Sequence, residues 1–225
     1  MLDEGITVLS LFDGISCGQL ALARAGIKVK KYFAAEIKPI ALKCAMANFP
    51  DTIQIGDVTK VNFSDGILKT EKGSFEVGAI DLLIGGSPCQ DFTIMKYINQ
   101  GENLGLEGEK SRLFYEYLRI KRETKARFFL LENVEMRKDR ERQLNEFLKV
   151  EGIHINSSLV SYQNRPRVYW TNIPGVKVPA DRDIDFQDYI ESGGGLKNTK
   201  SIERRRERKC GMRAKVTRVW EIAIM

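Results

Sequence analysis

The sequence has little of what several enzyme and metal-binding classes require. It contains one histidine, His154, and its four cysteines show no CxxC spacing: Cys17, Cys44, Cys89 and Cys210. Zinc sites and hydrolases of the Ser-His-Asp or Cys-His type depend on histidine or on closely spaced cysteines, so these counts argue against both. We therefore expect no metal site, and each cysteine is either a packed apolar residue or a nucleophile.

Long hydrophobic runs are also absent. No segment approaches the roughly 18 uncharged apolar residues that a membrane span requires. The acidic N-terminus, Met1–Glu4, is not followed by the apolar region of a signal peptide. With 43% hydrophobic residues, a chain of 225 residues can nevertheless bury a core. The sequence predicts a cytoplasmic protein with no membrane partner.

Positive charge is concentrated near the C-terminus. The formal net charge is +6, but residues 197–218 contain ten basic and two acidic side chains, so the rest of the chain is slightly acidic. A basic tail on a nearly neutral body suits a nucleic-acid partner. The alternative is a solvated chain end with no ligand.

Strand-like and helix-like segments alternate through the first 175 residues. The hydrophobic patterns predict strands over Ile6–Phe12, Lys31–Glu36, Thr52–Gly56, Ile80–Gly86 and Arg127–Leu131, and helices over Cys17–Ala25, Pro39–Asn48, Arg112–Arg122 and Asp139–Val150. Two more strands, Ile153–Tyr162 and Val168–Ile173, follow without a helix between them. We expect an α/β fold with an open, mainly parallel sheet, helices on both faces and an antiparallel terminal strand pair.

The character of the sequence changes after Gly175. A loop-like segment and the flexible run Gly193–Gly195 precede the basic tail, which lacks a clear apolar stripe. We therefore expect one α/β domain over residues 1–175 and an appended piece, residues 176–225, that is too small to fold alone.

Two polar clusters lie where the first predicted strands end, the edge at which open parallel sheets bind ligands. The sequence FDGISCG, Phe12–Gly18, forms a strand-to-helix turn in which glycine allows a close approach to backbone N–H donors. Glu36 ends the second strand and is a candidate acceptor for a ribose hydroxyl pair, and Asp57 could accept an exocyclic amine. Together they outline a site for an adenosine-containing cofactor. The alternative is a turn with a capping aspartate and exposed acids near helix starts.

Two further clusters contain reactive side chains. In GGSPCQ, Cys89 lies among small and polar residues, where a thiolate can be exposed and act as a nucleophile, whereas Cys17 and Cys44 fit packing positions. Glu132 follows four apolar residues, Phe128–Leu131, so a partly buried carboxyl with a raised pKa, or one paired with a nearby arginine, is expected. A purely structural Glu–Arg pair is the alternative.

The blocks FDGISCG, GGSPCQ, ENV and QNRPR, in this order, resemble the signature blocks of the cytosine-C5 DNA methyltransferases. EGEKSRLF, at 107–114, resembles another block of that family, and the resemblance extends from about Thr7 to Gly175. The segments RLF and YWTNIPG are similar to the phage and eukaryotic de novo branches. The resemblance implies a Rossmann-like S-adenosylmethionine-dependent methyltransferase fold and methyl transfer to C5 of cytosine in double-stranded DNA, as in restriction–modification and phage DNA methylation.

The resemblance also implies individual roles. Cys89 would be the nucleophile and Glu132 the acid at the base, and Arg165 and Arg167 would contact the pyrimidine carbonyl and Glu132. The implied S-adenosyl-L-methionine site consists of Phe12, Asp13, Gly14, Gly18, Glu36, Ile37, Asp57, Val58 and Leu113. The implied substrate-binding residues are Ser87, Pro88, Gln90, Asn133 and Gln163. The segment Asp91–Lys110, with three glycines, would form a lid.

The sequence departs from the family after QNRPR. Family members continue with a target-recognition region and two further blocks, which residues 176–225 do not display, although residues 186–193 could open such a region. We therefore expect a shortened enzyme that a protein partner or a second copy completes. The alternatives are a non-catalytic cofactor- or DNA-binding remnant and a methyltransferase acting on tRNA cytosine. The resemblance implies the cytoplasm of a bacterial or phage-infected cell, or the nucleus of a eukaryotic one.

Overall fold

The computed structural model describes residues 5–87, 112–161 and 163–184 of the chain. The strands are β1 (Ile6–Leu11), β2 (Val29–Ala35), β3 (Ile53–Gln54), β4 (Asn62–Ser64), β5 (Ile67–Thr70), β6 (Gly73–Glu76), β7 (Leu82–Gly85), β8 (Phe128–Val134), β9 (Ile153–Asn156) and β10 (Pro166–Thr171). The helices are α1 (Cys17–Arg24), α2 (Pro39–Asn48), α3 (Arg112–Thr124) and α4 (Lys138–Leu148).

Seven strands form the main sheet, in the order β3-β2-β1-β7-β8-β10-β9. β1 pairs in parallel with β2 and β7, and β7 pairs in parallel with β8, whereas β10 is antiparallel to both β8 and β9. The predicted α/β class, with its mainly parallel sheet and antiparallel terminal pair, is confirmed. The strand order changes direction between β1 and β7, so the carboxyl ends of β1, β2, β7 and β8 meet at one edge beside this switch point.

All seven predicted strands differ from the observed ones by one or more residues at their ends, and two of these differences affect residues near the site. β8 continues beyond Leu131 to Val134 because its last residues pair with β10, with Glu132 opposite Tyr169 and Val134 opposite Arg167. Glu132 therefore lies inside a strand and does not follow one. The predicted strand from Ile153 ends at Asn156, whose side chain accepts a hydrogen bond from the Ser158 backbone and starts a 3-10 turn.

A small antiparallel sheet of order β4-β5-β6 was not predicted from the sequence. Its strands are only three or four residues long and mostly polar, so they lack the hydrophobic run that indicates a strand. Tertiary contacts stabilise the sheet instead. Leu68 is fully buried, and the Phe75 ring packs edge-on against Phe33 of β2 with 5.7 Å between centroids.

Apolar side chains cover both faces of the main sheet. Leu9 and Leu11 of β1 belong to the cluster that packs against α3 and α4, and Val8 belongs to the cluster under α1. Both-sided burial explains why β1 reads as a nearly continuous apolar run. None of the helices in the described part of the chain is both long enough and apolar enough to cross a membrane.

Candidate active site

The turn between β1 and α1 is built around the carboxylate of Asp13. One oxygen, Oδ1, accepts hydrogen bonds from the Ser10 hydroxyl at 2.6 Å and the Tyr32 hydroxyl at 2.7 Å, and Oδ2 accepts one from Ser16. Burial raises the pKa of Asp13, and the three hydroxyl donors counteract that rise. These contacts hold the turn, in which Phe12 adopts a φ of 57°, in one conformation.

Gly18 lets α1 approach the sheet closely. A Cβ at this position would lie 2.4 Å from Cδ1 of Ile84 and 2.9 Å from the Tyr32 hydroxyl oxygen. A side chain at this position would therefore force α1 or these two neighbours to shift. The predicted importance of Gly18 therefore has a packing reason in addition to any ligand contact.

Glu36 joins the ends of β1 and β2. Its Oε2 accepts a hydrogen bond from the Gly14 backbone at 2.8 Å, and its Oε1 accepts one each from the backbone N–H groups of Ile37 and Lys38 at 2.8 Å. Because a carboxylate has about four acceptor positions, it can accept a further donor in this orientation. Ile37, the next residue, leaves 65% of its surface exposed beside this carboxylate.

The other predicted cofactor residues lie on neighbouring elements. Asp57 caps the 3-10 turn Val58–Lys60 by accepting a hydrogen bond from the Thr59 backbone at 2.9 Å, and Val58 is buried beneath it. Leu113 of α3 is half-buried against the core.

These residues fit an adenosine-containing cofactor. They provide a fixed carboxylate and an uncovered apolar side chain, and a Cβ on Gly14 would meet nothing within 4 Å. The turn therefore borders open space.

Ser87 and Asn133 tie the end of β7 to β8. The Asn133 side-chain amide donates a hydrogen bond to the Ser87 hydroxyl at 3.2 Å, and both residues are buried. Pro88, Cys89 and Gln90 lie outside the described residues, as do Asp91–Lys110 and the basic tail. The chain therefore enters the segment containing Cys89 from this edge of the sheet.

Glu132 and Arg167 form an ion pair at the same edge. The Nε of Arg167 lies 2.6 Å from Oε1 of Glu132, and the two side chains are only 16% and 18% exposed. Burial raises the pKa of Glu132 above its ordinary value, against the opposing charges of Arg167 and Arg165. A Cβ on Gly86 would lie 3.0 Å from the other carboxylate oxygen, so the carboxyl rests against this backbone.

Arg165 and Gln163 lie in the connection that leads into β10. The Arg165 backbone N–H donates to the Asn156 side chain at 2.9 Å, and its charge acts on Glu132. The Oε1 of Gln163 is buried and has no hydrogen-bond partner, the kind of polar atom that a ligand can satisfy. The fold thus brings Ser87, Asn133, Glu132 and Arg167 together, with Arg165 close enough to act electrostatically.

Three residues of the site were not predicted from the sequence. Ser10 and Tyr32 complete the Asp13 network, and Glu71 accepts a hydrogen bond from the Asp57 backbone at 3.1 Å. Ser10 lies only three residues before Asp13, and this short spacing could have indicated it. Tyr32 reaches the site because β2 pairs with β1, and Glu71 reaches it because the small sheet packs beside β2. Neither arrangement leaves a signal in the local sequence.

A mainly parallel sheet with a glycine turn and acidic side chains along its carboxyl edge is typical of Rossmann-like α/β proteins that bind a nucleotide-containing ligand. Residues 6–177 match the family model of the C-5 cytosine-specific DNA methylases. The chain belongs to this family, and the predicted family is confirmed.

Curated relatives come from bacteria, phages and a plant. The chain is 30% identical to the type II methyltransferase M.NlaIV of Neisseria lactamica, over 84% of this chain and 47% of that protein. It is 32% identical to the orphan methyltransferase M.Rho11sI of Bacillus phage rho11s, over 73% and 32% of the two chains. It is 39% identical to the DNA (cytosine-5)-methyltransferase DRM2 of Arabidopsis thaliana, over 55% and 20%. The chain spans less than half the length of these relatives.

A solved structure shares the fold. A DNA modification methyltransferase encoded within a prophage (E. coli) superimposes with a TM-score of 0.54 at 24% identity, over 74% of this chain and 46% of that one. The likeness supports the α/β architecture described above.

Proposed function

We propose that this protein transfers a methyl group from S-adenosyl-L-methionine to C5 of cytosine in double-stranded DNA. The observation that supports this most directly is the buried Glu132 carboxyl, paired with Arg167 and raised in pKa, at the edge from which the chain continues to Cys89. When bound, S-adenosyl-L-methionine supplies an electrophilic methyl group on a sulfonium centre.

Glu36 and its neighbours would hold this cofactor. The Glu36 carboxylate would accept the ribose hydroxyls, and the exposed Ile37 side chain would pack on the adenine. Asp57 and Val58 would meet the adenine edge, and Leu113 would line the same pocket. Phe12, Asp13, Gly14 and Gly18 would shape the turn beneath the cofactor.

Cys89 and Glu132 would activate the base. Cytosine C5 is a weak nucleophile, so the Cys89 thiolate first adds to C6 while Glu132 protonates or hydrogen-bonds N3, which makes C5 electron-rich. C5 then takes the sulfonium methyl group, which leaves S-adenosyl-L-homocysteine. A base removes the C5 proton, and the C6–sulfur bond breaks to expel the thiolate. The target is inaccessible inside the helix, so the base must be flipped out of the stack.

The remaining site residues would hold the flipped base. Arg165 would contact the pyrimidine carbonyl and Arg167 would orient Glu132, while the buried Asn133–Ser87 pair would support the segment that carries Cys89. Pro88, Gln90 and Gln163 would complete the set of residues that contact the base. Residues 1–175 would form the catalytic domain, and residues 176–225 part of the target-recognition region with a DNA-binding tail. A protein partner or a second copy would complete the DNA cleft.

Transfer of labelled methyl to DNA tests this proposal. We expect incorporation into double-stranded DNA by the wild-type chain and none by Cys89→Ser, whose hydroxyl is a much weaker nucleophile at neutral pH. DNA containing 5-fluorocytosine should give a covalent adduct that survives denaturation, because fluorine cannot leave C5 as a cation. Ser74→Ala, an exposed change on β6 outside every residue assigned to the site, is the control and should retain activity.

Two outcomes would replace the proposal. Incorporation into tRNA but not into DNA would identify a tRNA cytosine methyltransferase. Binding of cofactor or DNA without adduct or methyl transfer, also after addition of cell extract to supply a partner, would identify a non-catalytic remnant. We also place the activity in the cytoplasm of a bacterial or phage-infected cell, or in the nucleus of a eukaryotic one, because these compartments contain the DNA substrate.

A further inference from the structure

The small sheet extends one acidic side chain to the predicted adenine site. Glu71 and Lys72 form the turn between β5 and β6, which pair in register from Ile67 to Thr70. The Thr70 hydroxyl donates to the Gly73 carbonyl and accepts from the Lys72 backbone, both at 3.0 Å. The hairpin end, and with it Glu71, is therefore held in a defined position.

Glu71 contacts the backbone that leads into Asp57. Its Oε1 accepts the Asp57 backbone hydrogen bond at 3.1 Å. Gly56 makes room for this contact, because a Cβ there would lie 2.0 Å from the same oxygen and its φ is +81°. The Glu71 carboxylate therefore occupies the space that a side chain at position 56 would fill.

The Asp57 carboxylate depends on this backbone for its direction. Its Oδ1 accepts from the Thr59 backbone at 2.9 Å, which ties the side chain to its own turn. The preceding peptide bond joins Asp57 to Gly56, and glycine is the residue with the greatest conformational freedom. A charge-assisted hydrogen bond to the Asp57 N–H removes this freedom.

We propose that Glu71 is a positioning residue for adenine recognition: it holds the Gly56–Asp57 peptide so that the Asp57 carboxylate faces the exocyclic amine of the cofactor. This inference rests on the cofactor assigned under the proposed function. It also gives the small sheet a role, since the β5–β6 hairpin is the element that supplies Glu71.

The hairpin itself does not depend on Glu71. Leu68 is buried in the core, Phe75 packs on Phe33, and the Phe63 backbone donates to Glu123 of α3 at 3.0 Å. Glu71 is exposed, so its replacement leaves these contacts in place. Equal melting temperatures are expected for the wild type and the variants below.

Binding of S-adenosyl-L-homocysteine, measured by titration calorimetry on the full chain, tests the inference. We expect Glu71→Ala to weaken binding about tenfold, and Glu71→Gln, which keeps an acceptor oxygen, to weaken it by about threefold or less. Glu76→Ala is the matched control: it removes the same charge from the same hairpin and should bind like the wild type.

A second ligand separates positioning from a structural effect. S-inosyl-L-homocysteine has a carbonyl in place of the adenine amine, so the wild type should bind it more weakly. Glu71→Ala and Asp57→Ala should each reduce this discrimination, and the double variant should lose little more than Asp57→Ala alone. A general structural defect would weaken both ligands equally.

The outcomes distinguish this inference from the proposed function. If the wild type binds S-adenosyl-L-homocysteine and Glu71→Ala binds both ligands as the Glu76→Ala control does, the positioning role is wrong and the cofactor assignment stands. If the wild type binds neither ligand, the cofactor assignment itself is wrong, and the role of Glu71 with it.

Discussion

Glu132 shows how burial and a neighbouring charge compete at a single residue. Desolvation favours the neutral acid, while the Arg167 guanidinium at 2.6 Å and the charge of Arg165 favour the carboxylate. The net result is a pKa above the ordinary value, which suits a group that must donate a proton and take it back. A kinetic measurement distinguishes this proton-donating role from a purely structural ion pair.

We predict that Glu132→Gln slows methyl transfer by about 100-fold or more, because an amide cannot deliver a proton to the base. The change should leave S-adenosyl-L-homocysteine affinity within about twofold, since Glu36 rather than Glu132 is assigned to the cofactor. Single-turnover rates and ligand titration measure the two effects. Glu146→Gln, an exposed change of the same kind, is the control. Equal losses in rate and affinity would contradict the assigned role.

Gly18→Ala tests the close packing of α1 on the sheet. Helix propensity alone favours alanine by up to about 1 kcal/mol. The new Cβ would, however, clash with the buried Ile84 side chain. We therefore expect the free energy of unfolding, measured by chemical denaturation, to fall by about 1–3 kcal/mol. In an Ile84→Val background, which lacks Cδ1, the cost should be smaller. An unchanged cost in that background would show that Ile84 is not the obstacle.

At the scale of elements, His154 links three parts of the domain. It lies on the edge strand β9, and its Nε2 is 2.7 Å from Glu141 of α4, while its Nδ1 is 3.6 Å from Glu135, just after β8. Partial burial lowers the pKa of His154, but the hydrogen bonds and charges of Glu141 and then Glu135 raise it, and the net shift is upward. Glu151, Lys138 and Arg142 line the same surface cavity.

We predict a pH-dependent contribution of His154 to stability. The pKa of His154 is higher in the folded chain than in the unfolded chain. The stabilisation is therefore fully present below the unfolded-state pKa of about 6.5, and it disappears as the pH rises through the folded-state pKa. The melting temperature of the wild type should exceed that of His154→Gln at about pH 6, and the difference should shrink by about pH 9. A difference that is constant with pH would show that the histidine contributes through packing instead.

Some elements could be predicted from the sequence because their signals are local. Pro39 at the first turn and the apolar pattern after it define α2 with the predicted bounds Pro39–Asn48. β1 and β7 are buried on both faces and read as apolar runs. The small sheet has no such signal, since Phe63, Leu68 and Phe75 are separated by polar residues and become a common face only when the sheet packs on β2 and α3.

For the whole molecule, the basic segment 197–218 predicts salt-sensitive DNA binding. Each phosphate contacted by a lysine or arginine releases counterions. The logarithm of the affinity therefore falls linearly with the logarithm of the salt concentration, with a slope that grows with the number of contacts. Replacing Arg204, Arg205, Arg206, Arg208 and Lys209 by glutamine should weaken DNA binding and flatten its salt dependence. Glu203→Gln with Glu207→Gln, which makes the segment more basic, should have the opposite effect. Unchanged binding in the first variant would leave the segment without its assigned role.

By itself the sequence determined the alternation of strands and helices, the family blocks and the kinds of chemical group near the strand ends. These features could be predicted because hydrophobic periodicity, glycine and proline influence the conformation of only a few neighbouring residues. Only the tertiary structure decided which of these groups meet. Glu132 reaches Arg167 because β10 runs antiparallel to β8, and Asp13 reaches Tyr32 because β1 lies beside β2. Glu71 reaches Asp57 through a sheet that no local pattern indicates. Strand order and direction arise from packing of the whole chain, and no short segment of the sequence encodes them.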